Sequence, residues 1–349
     1  MDFAFSAEQE LLRGAAREWL ADTGDAARVA ELADSEAGWD PASWGQLGRL
    51  GWLDDELGML ELAVLAEETG YALYPGPWWS TVALAAPAWG AIPTEPATLA
   101  WADAEARTLR DAVRGVAARA EDTGDGWRLY GEKVRVPDLG AVSTVVVVAH
   151  ADAGIGLFAV APGRGSVVTP VSTVDRTRRY GRLTLDGAGA DLVVAPGLAG
   201  PVLTGVRQRA LALLACEGVG VLQRALDTAV AYARDRTQFG RPIGSFQAVS
   251  HRLADTYRDL QLARSLAYRA AWCVATGDDA VEEAVASAAA CVGEVAVTGC
   301  ERAIQAMGGI GFTWDHVLHR LYKRAQWIAS VDGPPSARRA ELAALLLDS

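Results

Sequence analysis

Two short stretches gather side chains able to grip an anion, and a third holds a lone acid. The first, "RDRTQFGRPIGSFQ" (234–247), sets Arg234, Arg236 and Arg241 around Phe239, Gln238, Gln247 and two glycines. Guanidinium forks match the oxygens of phosphate groups, and a nearby helix start adds backbone N–H donors. The second, "QAMGGIGF" (305–312), has adjacent glycines at 308 and 309, where a backbone can approach a ligand without a Cβ in the way. No strand precedes it, so it is neither a Rossmann fingerprint nor a P-loop. The same holds for Gly218-Val219-Gly220, which reads as helix packing. The third, "WIASVDGPPSARR" (327–339), puts Asp332 before Gly333-Pro334-Pro335 in apolar or small company. Such an acid is either a proton acceptor or a helix-ending residue.

These stretches lie in a chain that changes character twice. Residues 1–97 read as helical: Ser6 followed by Gln9 fits a capping box, and "ELAVLAEETGYALYPGP" gives a helix stopped between Gly70 and Pro75. Over 98–200 short β-branched or alternating runs such as "GWRLYGEKVRV", "STVVVVAH" and "GRLTLDGA" alternate with Gly, Asp and Pro. That spacing predicts a small antiparallel barrel or sandwich. Over 201–349 helical periodicity returns. Leu211, Leu214, Gly218, Val221, Leu222 and Ala225 form one stripe, and Val249, Leu253, Tyr257 and Leu260 a second. A third long helix rich in small residues and the shorter "DHVLHRLYKRAQWIAS" complete an antiparallel four-helix bundle. The fold class expected is mainly α with a central β domain, in three domains: 1–97, 98–200 and 201–349.

Composition limits the function. The 349 residues are 51% hydrophobic and carry a formal net charge of -12, against the basic face a nucleic-acid binder needs. No uninterrupted apolar run reaches the roughly 18–20 residues of a membrane span. The N-terminus is acidic where a signal peptide is basic, so the expected compartment is the cytoplasm. Cys216, Cys273, Cys291 and Cys300 have no metal or disulfide spacing. His316 and His319 sit three apart but lack further metal ligands. Arg320, Lys323 and Arg324 read as a solvated basic face, and most of the twelve tryptophans as core.

Taken together, "RTQFGRPIGSFQAV" and "QAMGGIGFTW", with the opening "MDFAFSAEQE" and the helix–β–helix order, resemble the acyl-CoA dehydrogenase family over nearly the whole chain. The resemblance implies FAD, an acyl-CoA thioester substrate and a dimer or dimer of dimers. In that family the two loops cross a subunit interface and hold the pyrophosphate and adenosine side of a FAD whose flavin ring sits in the neighbouring protomer. The matching residues here are Arg236, Gln238, Phe239, Gln305, Gly308 and Gly309, with Gln247 beside them. A carboxylate removes the proton next to the thioester carbonyl while a hydride leaves the adjacent carbon for the flavin. Many members place a glutamate 27 residues after the motif glutamine, followed by Gly-Thr; from Gln305 this position is Asp332, followed by Gly333 and Pro334. The side chain is one methylene shorter, a displacement worth on the order of a hundredfold in rate. Members that place the base on the first bundle helix would have it near Ala210, and Glu217 is out of register.

The flavin-lining segments depart from the family pattern as well. The Gly-x-Lys turn aligns with "GEKVRVPD", so Arg135 stands where a tryptophan flanks the flavin, and Pro137 where a threonine donates to it. Thr94-Glu95-Pro96 imitates the other segment but lies too far upstream; "LAWADA" around Asp103 fits the spacing better. The half-site reaching outward is kept while the pocket for an own flavin is eroded. This resembles the short subunits of heterotetrameric acyl-CoA dehydrogenases of actinobacterial steroid side-chain breakdown. A larger paralogue would then complete an α2β2 assembly, supplying flavin pocket and base. Two alternatives stay open: a self-sufficient homodimer or homotetramer using Asp332 as base, and a structural or binding paralogue without FAD.

Overall fold

Ser6 starts the first helix by the reciprocal cap its sequence suggests: its Oγ accepts from the Gln9 N–H and the Gln9 Oε1 accepts from the Ser6 N–H, both at 3.1 Å. The structure, a computed structural model, describes residues 5–347; the first four residues of the opening stretch lie outside it. Helices α1 (Ala7–Thr23), α2 (Ala26–Asp34), α3 (Pro41–Arg49) and α4 (Met59–Ala72) follow in order. Asp40 caps α3 through the Ala42 N–H at 3.0 Å, with Pro41 at the first position, where its missing donor costs nothing. The expected stop for α4 falls at Leu73, in the left-handed region at φ 57°. A π-helical stretch (Ser80–Ala85) runs into α5 (Ala86–Trp89).

The β region comprises β1 (Ala97–Ala100), the short helix α6 (Leu109–Ala112), β2 (Arg119–Asp122), β3 (Trp127–Pro137), β4 (Thr144–Ala151), β5 (Gly154–Val160), β6 (Ser166–Val171) and β7 (Tyr180–Val194). The pairings β4–β2–β3–β7–β5 close through β5–β4 into a small barrel, with β1 added to β4 and β6 to β7. Most pairs are antiparallel as expected; β1–β4 and the single β2–β4 bridge are parallel. Alternate residues turn inward, so Leu129, Val145, Val147, Phe158, Leu183 and Leu185 form a core with small alanines between them.

Helix α7 (Ala199–Asp235) leads to a two-residue hairpin, β8 (Thr237–Gln238) with β9 (Arg241–Pro242), and then to α8 (Gln247–Thr276), α9 (Val281–Met307), α10 (Leu318–Ser330) and α11 (Pro335–Leu347). The predicted α7 stripe is fully buried. On α8 the buried face runs through Leu253, Thr256, Leu260, Ala263 and Ala267, and Tyr257 is 57% exposed: the aromatic ring sits one step off the apolar stripe assigned to it. Small residues let helices touch. A Cβ on Gly220 would overlap the Glu67 carbonyl, and one on Gly70 the Glu217 carbonyl, so α4 and α7 cross backbone to backbone. On length and mean hydropathy alone, Val281–Phe312 would suffice to cross a membrane, although charged residues interrupt its apolar runs; α9 packs as a central bundle helix, with Gly299 against Leu222 and Thr256 and Gly293 against Pro335.

The chain forms two compact units, one of residues 1–30, 58–74 and 211–349, the other of 31–57 and 75–210. In the first, Glu67 accepts from Arg264 at 2.8 Å and from the Tyr268 hydroxyl at 2.7 Å, while Glu68 takes both arms of Arg17 at 2.9 and 2.8 Å. Two adjacent buried acids are thus held by charge-assisted bonds from α1 and α8. The architecture is mainly α with a central β region and a C-terminal helix bundle, as expected.

Candidate functional site

The first loop is held by its own backbone. The Arg236 N–H donates to Tyr232 O at 2.9 Å, and the Ile243 N–H returns to Arg236 O at 2.8 Å. Between them β8 and β9 are joined by Phe239 at φ 53° and Gly240 at φ 79°. A tight two-residue hairpin asks for positive φ at both positions. Glycine meets that freely; a phenylalanine there carries strain of about 1–2 kcal/mol. Phe239 is nevertheless 92% exposed, touching Phe246 edge-on at 6.1 Å. Arg236, Gln238 and Gln247 are exposed as well, Gln247 as the first residue of α8.

The second loop leaves α9 at Gly308, φ 64° and ψ -140°, a conformation nearly reserved for glycine. A Cβ on Gly308 or Gly309 would meet nothing within 4 Å, so this backbone is open to an approaching group. Gly311 is different: a Cβ there would press on Ile304 O at 3.0 Å, and its role is packing. Gln305 is exposed on the last turn of α9. Helices α8 and α9 are antiparallel neighbours joined at Gly277, and they meet α7 where Gly299 faces Thr256 and Leu222. From that level the start of α8 and the end of α9 are each about 13 Å along at 1.5 Å per residue. Arg236, Gln238, Phe239, Gln247, Gln305, Gly308 and Gly309 therefore gather at one end of the bundle, beside the exposed Ile310, Phe312 and Trp314.

Asp332 lies elsewhere. It sits between α10 and α11, where Pro335 packs on Gly293, about 20 Å along α9 from the glycine loop. It is 2% exposed, and Arg338 Nη2 donates to its Oδ2 at 2.7 Å. The other arm of Arg338 reaches Glu341 at 2.8 Å. Gly333 at φ 103° turns the chain, and Pro335 opens α11. Glu217 is also enclosed: Arg324 Nη1 binds its Oε1 at 2.5 Å, and both side chains are fully buried. Arg324 is thus no part of a solvated basic face, and Arg320 is buried too; Lys323 lies over the Trp314 ring at 4.2 Å. The reach of α10 into the core, invisible in the charge pattern, explains that difference. His319 stacks on Trp314 and hydrogen-bonds its carbonyl at 2.9 Å. Among the described residues no cluster of three His, Cys, Asp or Glu could hold a metal, and the four cysteines are free.

The positions aligned with a flavin pocket are occupied by structural bonds. Asp103 Oδ1 accepts from the Glu105 and Ala106 N–H groups at 3.0 Å; its Oδ2 accepts from Ala117 N at 2.9 Å and from Lys133 Nζ at 2.8 Å. Burial opposes the Asp103 charge, but Lys133 and the backbone donors outweigh it and hold the carboxyl below its usual range. Burial pushes the Lys133 ammonium down to about 8 against the pull of Asp103. Arg135 sits at a bulge of β3 with φ 52°, exposed, its Nη2 on Arg107 O at 3.1 Å. Pro137 ends β3 and offers no N–H. Thr94-Glu95-Pro96 forms the approach to β1, with Thr94 O accepting from Trp44 Nε1 at 2.7 Å. The outward loops thus present open backbone and exposed guanidinium at one bundle end, whereas Asp103, Lys133 and Arg135 are engaged in bonds within the β region. Sequence reasoning missed the Asp103–Lys133 pair, whose one signal was a lysine at an inward position of an alternating strand.

Residues 208–347 match the acyl-CoA dehydrogenase C-terminal domain. Over 337 residues the chain is 31% identical to acyl-CoA dehydrogenase IpdE2 of Mycobacterium tuberculosis (strain ATCC 25618 / H37Rv), covering 93% of this chain and 92% of that protein. The chain belongs to the acyl-CoA dehydrogenase family, FAD-dependent oxidoreductases acting on adjacent CH groups. Its solved relatives include a variant of the Tcur3481-Tcur3483 steroid ACAD, with a TM-score of 0.85, 29% identity and coverage of 98% of each chain. The ChsE4-ChsE5 complex from Mycobacterium tuberculosis matches with a TM-score of 0.87 and 27% identity over 100% of each chain.

Proposed function

We propose that this chain is a subunit of an acyl-CoA dehydrogenase that introduces an α,β double bond into an acyl-CoA thioester, holding the ADP half of a FAD whose flavin pocket and base belong to a larger partner subunit. The observation that carries this reading is the contrast between Asp332, enclosed at 2% exposure and bound to Arg338, and the open Gly308-Gly309 backbone and exposed Arg236 at one end of the bundle. A base must be free to reach a proton on carbon; a carboxylate enclosed at 2% exposure and clamped 2.7 Å from a guanidinium is pointed at the wrong partner.

In this reading Arg236 offers its guanidinium fork to the pyrophosphate oxygens, and the glycine backbone admits them closely. Phe239, strained and exposed, covers the adenosine side, with Gln238, Gln247 and Gln305 as hydrogen-bonding groups. FAD, when bound, would supply the hydride-accepting chemistry. The partner is inferred to be a larger acyl-CoA dehydrogenase paralogue in an α2β2 tetramer, supported by the two solved relatives described as a paired steroid ACAD and a two-component complex. The relative described as a steroid ACAD supports a steroid acyl-CoA thioester as the substrate class.

Flavin retention tests the half-site assignment. In the mixed complex, Arg236→Ala is expected to raise the FAD dissociation constant by about tenfold or more, the loss of one charge-assisted contact. Unchanged retention would remove Arg236 from the site.

A further inference from the structure

A cavity of about 230 Å³ lies in the first compact unit, between the ends of α1 and α4, the middle of α7 and the turn before α10. One wall is apolar, built from Leu20, Val29, Leu73 and Val317. The other carries two guanidiniums: Arg17 and Arg224 stand 5.3 and 4.9 Å from the Tyr71 ring centre. Their commitments differ. Arg17 is neutralised by its two-armed bond to buried Glu68. Among the described residues, no carboxylate lies within ion-pair distance of Arg224; it reaches Asp227 only through the Tyr71 hydroxyl, which donates to Asp227 Oδ2 at 3.2 Å. The remaining lining acid, Asp25, is exposed, with Oδ1 capping the Arg28 N–H at 2.7 Å.

We infer that this cavity binds a small amphipathic monocarboxylate, with its head on Arg224 beside Tyr71 and its compact apolar body against Leu20, Val29 and Leu73. Its volume suits roughly ten non-hydrogen atoms, below the drug-sized range. A cation is excluded by a ring already flanked by two guanidiniums. A neutral amide would leave Arg224 without a counter-charge. A dianion would meet the repulsion of Asp25 twice over. None of these residues belongs to the FAD half-site, so the inference stands or falls independently of the proposed function.

Titration calorimetry on the full chain, with its partner if the chain requires one, tests this with sodium octanoate, octanamide and inorganic phosphate. Octanoate should bind saturably, and Arg224→Gln should weaken it at least tenfold at an unchanged unfolding temperature, with Arg224→Lys recovering part of the loss. Octanamide and phosphate should each bind at least tenfold more weakly than octanoate. Absence of saturable octanoate binding, octanoate affinity within twofold in Arg224→Gln, or phosphate binding as tight as octanoate would each overturn the inference. The glutamine variant also separates this cavity from an acyl pocket elsewhere, which it would leave intact.

Discussion

Asp332 and Arg338 hold each other at 2.7 Å with almost no exposure, and neither can be changed alone without leaving a buried charge. Asp332→Asn should therefore lower stability by roughly 2–3 kcal/mol, on the low side for a broken buried pair because Glu341 still faces Arg338. Chemical denaturation of the purified variant measures it, and turnover of the refolded mixed complex should stay within a few-fold of wild type. Asp103 and Lys133 make a second enclosed pair, and both titrate below their usual values. A carboxyl with a lowered folded-state pKa binds protons less readily than in the unfolded chain. The stability it contributes is complete above its ordinary value near 3.8 and is lost as pH falls through the lowered one. The double variant Asp103→Asn, Lys133→Met should accordingly show a shallower acid limb in its stability–pH profile. An unchanged slope would show that this carboxyl is not among the groups that govern acid unfolding.

Helix contacts decide which glycines can change. Gly220 sits on the Glu67 carbonyl at the α4–α7 crossing, so Gly220→Ala should cost at least about 3 kcal/mol or prevent folding. Gly14, exposed in the interior of α1 with nothing within 4 Å of a Cβ, should gain about 0.5–1 kcal/mol as alanine. Thermal unfolding of the two variants should move in opposite directions. Elements governed by local rules were legible in the sequence. The Ser6–Gln9 cap, the α7 stripe and the β-rich middle all follow from residues a few positions apart. What depended on helix rotation was not. Tyr257 keeps helical spacing yet faces outward, and Arg324 shares a charged run with Lys323 yet reaches the core to meet Glu217. The outward loops were legible as motifs because their chemistry is carried by contiguous residues. The thirty-residue separation of Asp103 and Lys133 hid a pair that only the fold brings together, where the Val134 N–H donates to Ala102 O in the loop after β1.

For the whole molecule the proposed division of labour turns on where flavin resides. Phe239, Phe312 and Trp314 are exposed at one bundle end, and in the proposed assembly a second subunit would cover them. The visible flavin absorbance of the chain purified alone, beside that of the chain purified with its larger paralogue, bears on this without any assumption about substrate. The chain alone should be colourless, and the pair should carry FAD and turn over an acyl-CoA thioester. Stoichiometric FAD on the isolated chain, with turnover abolished by Asp332→Asn, would contradict the composite site and restore this aspartate as the base.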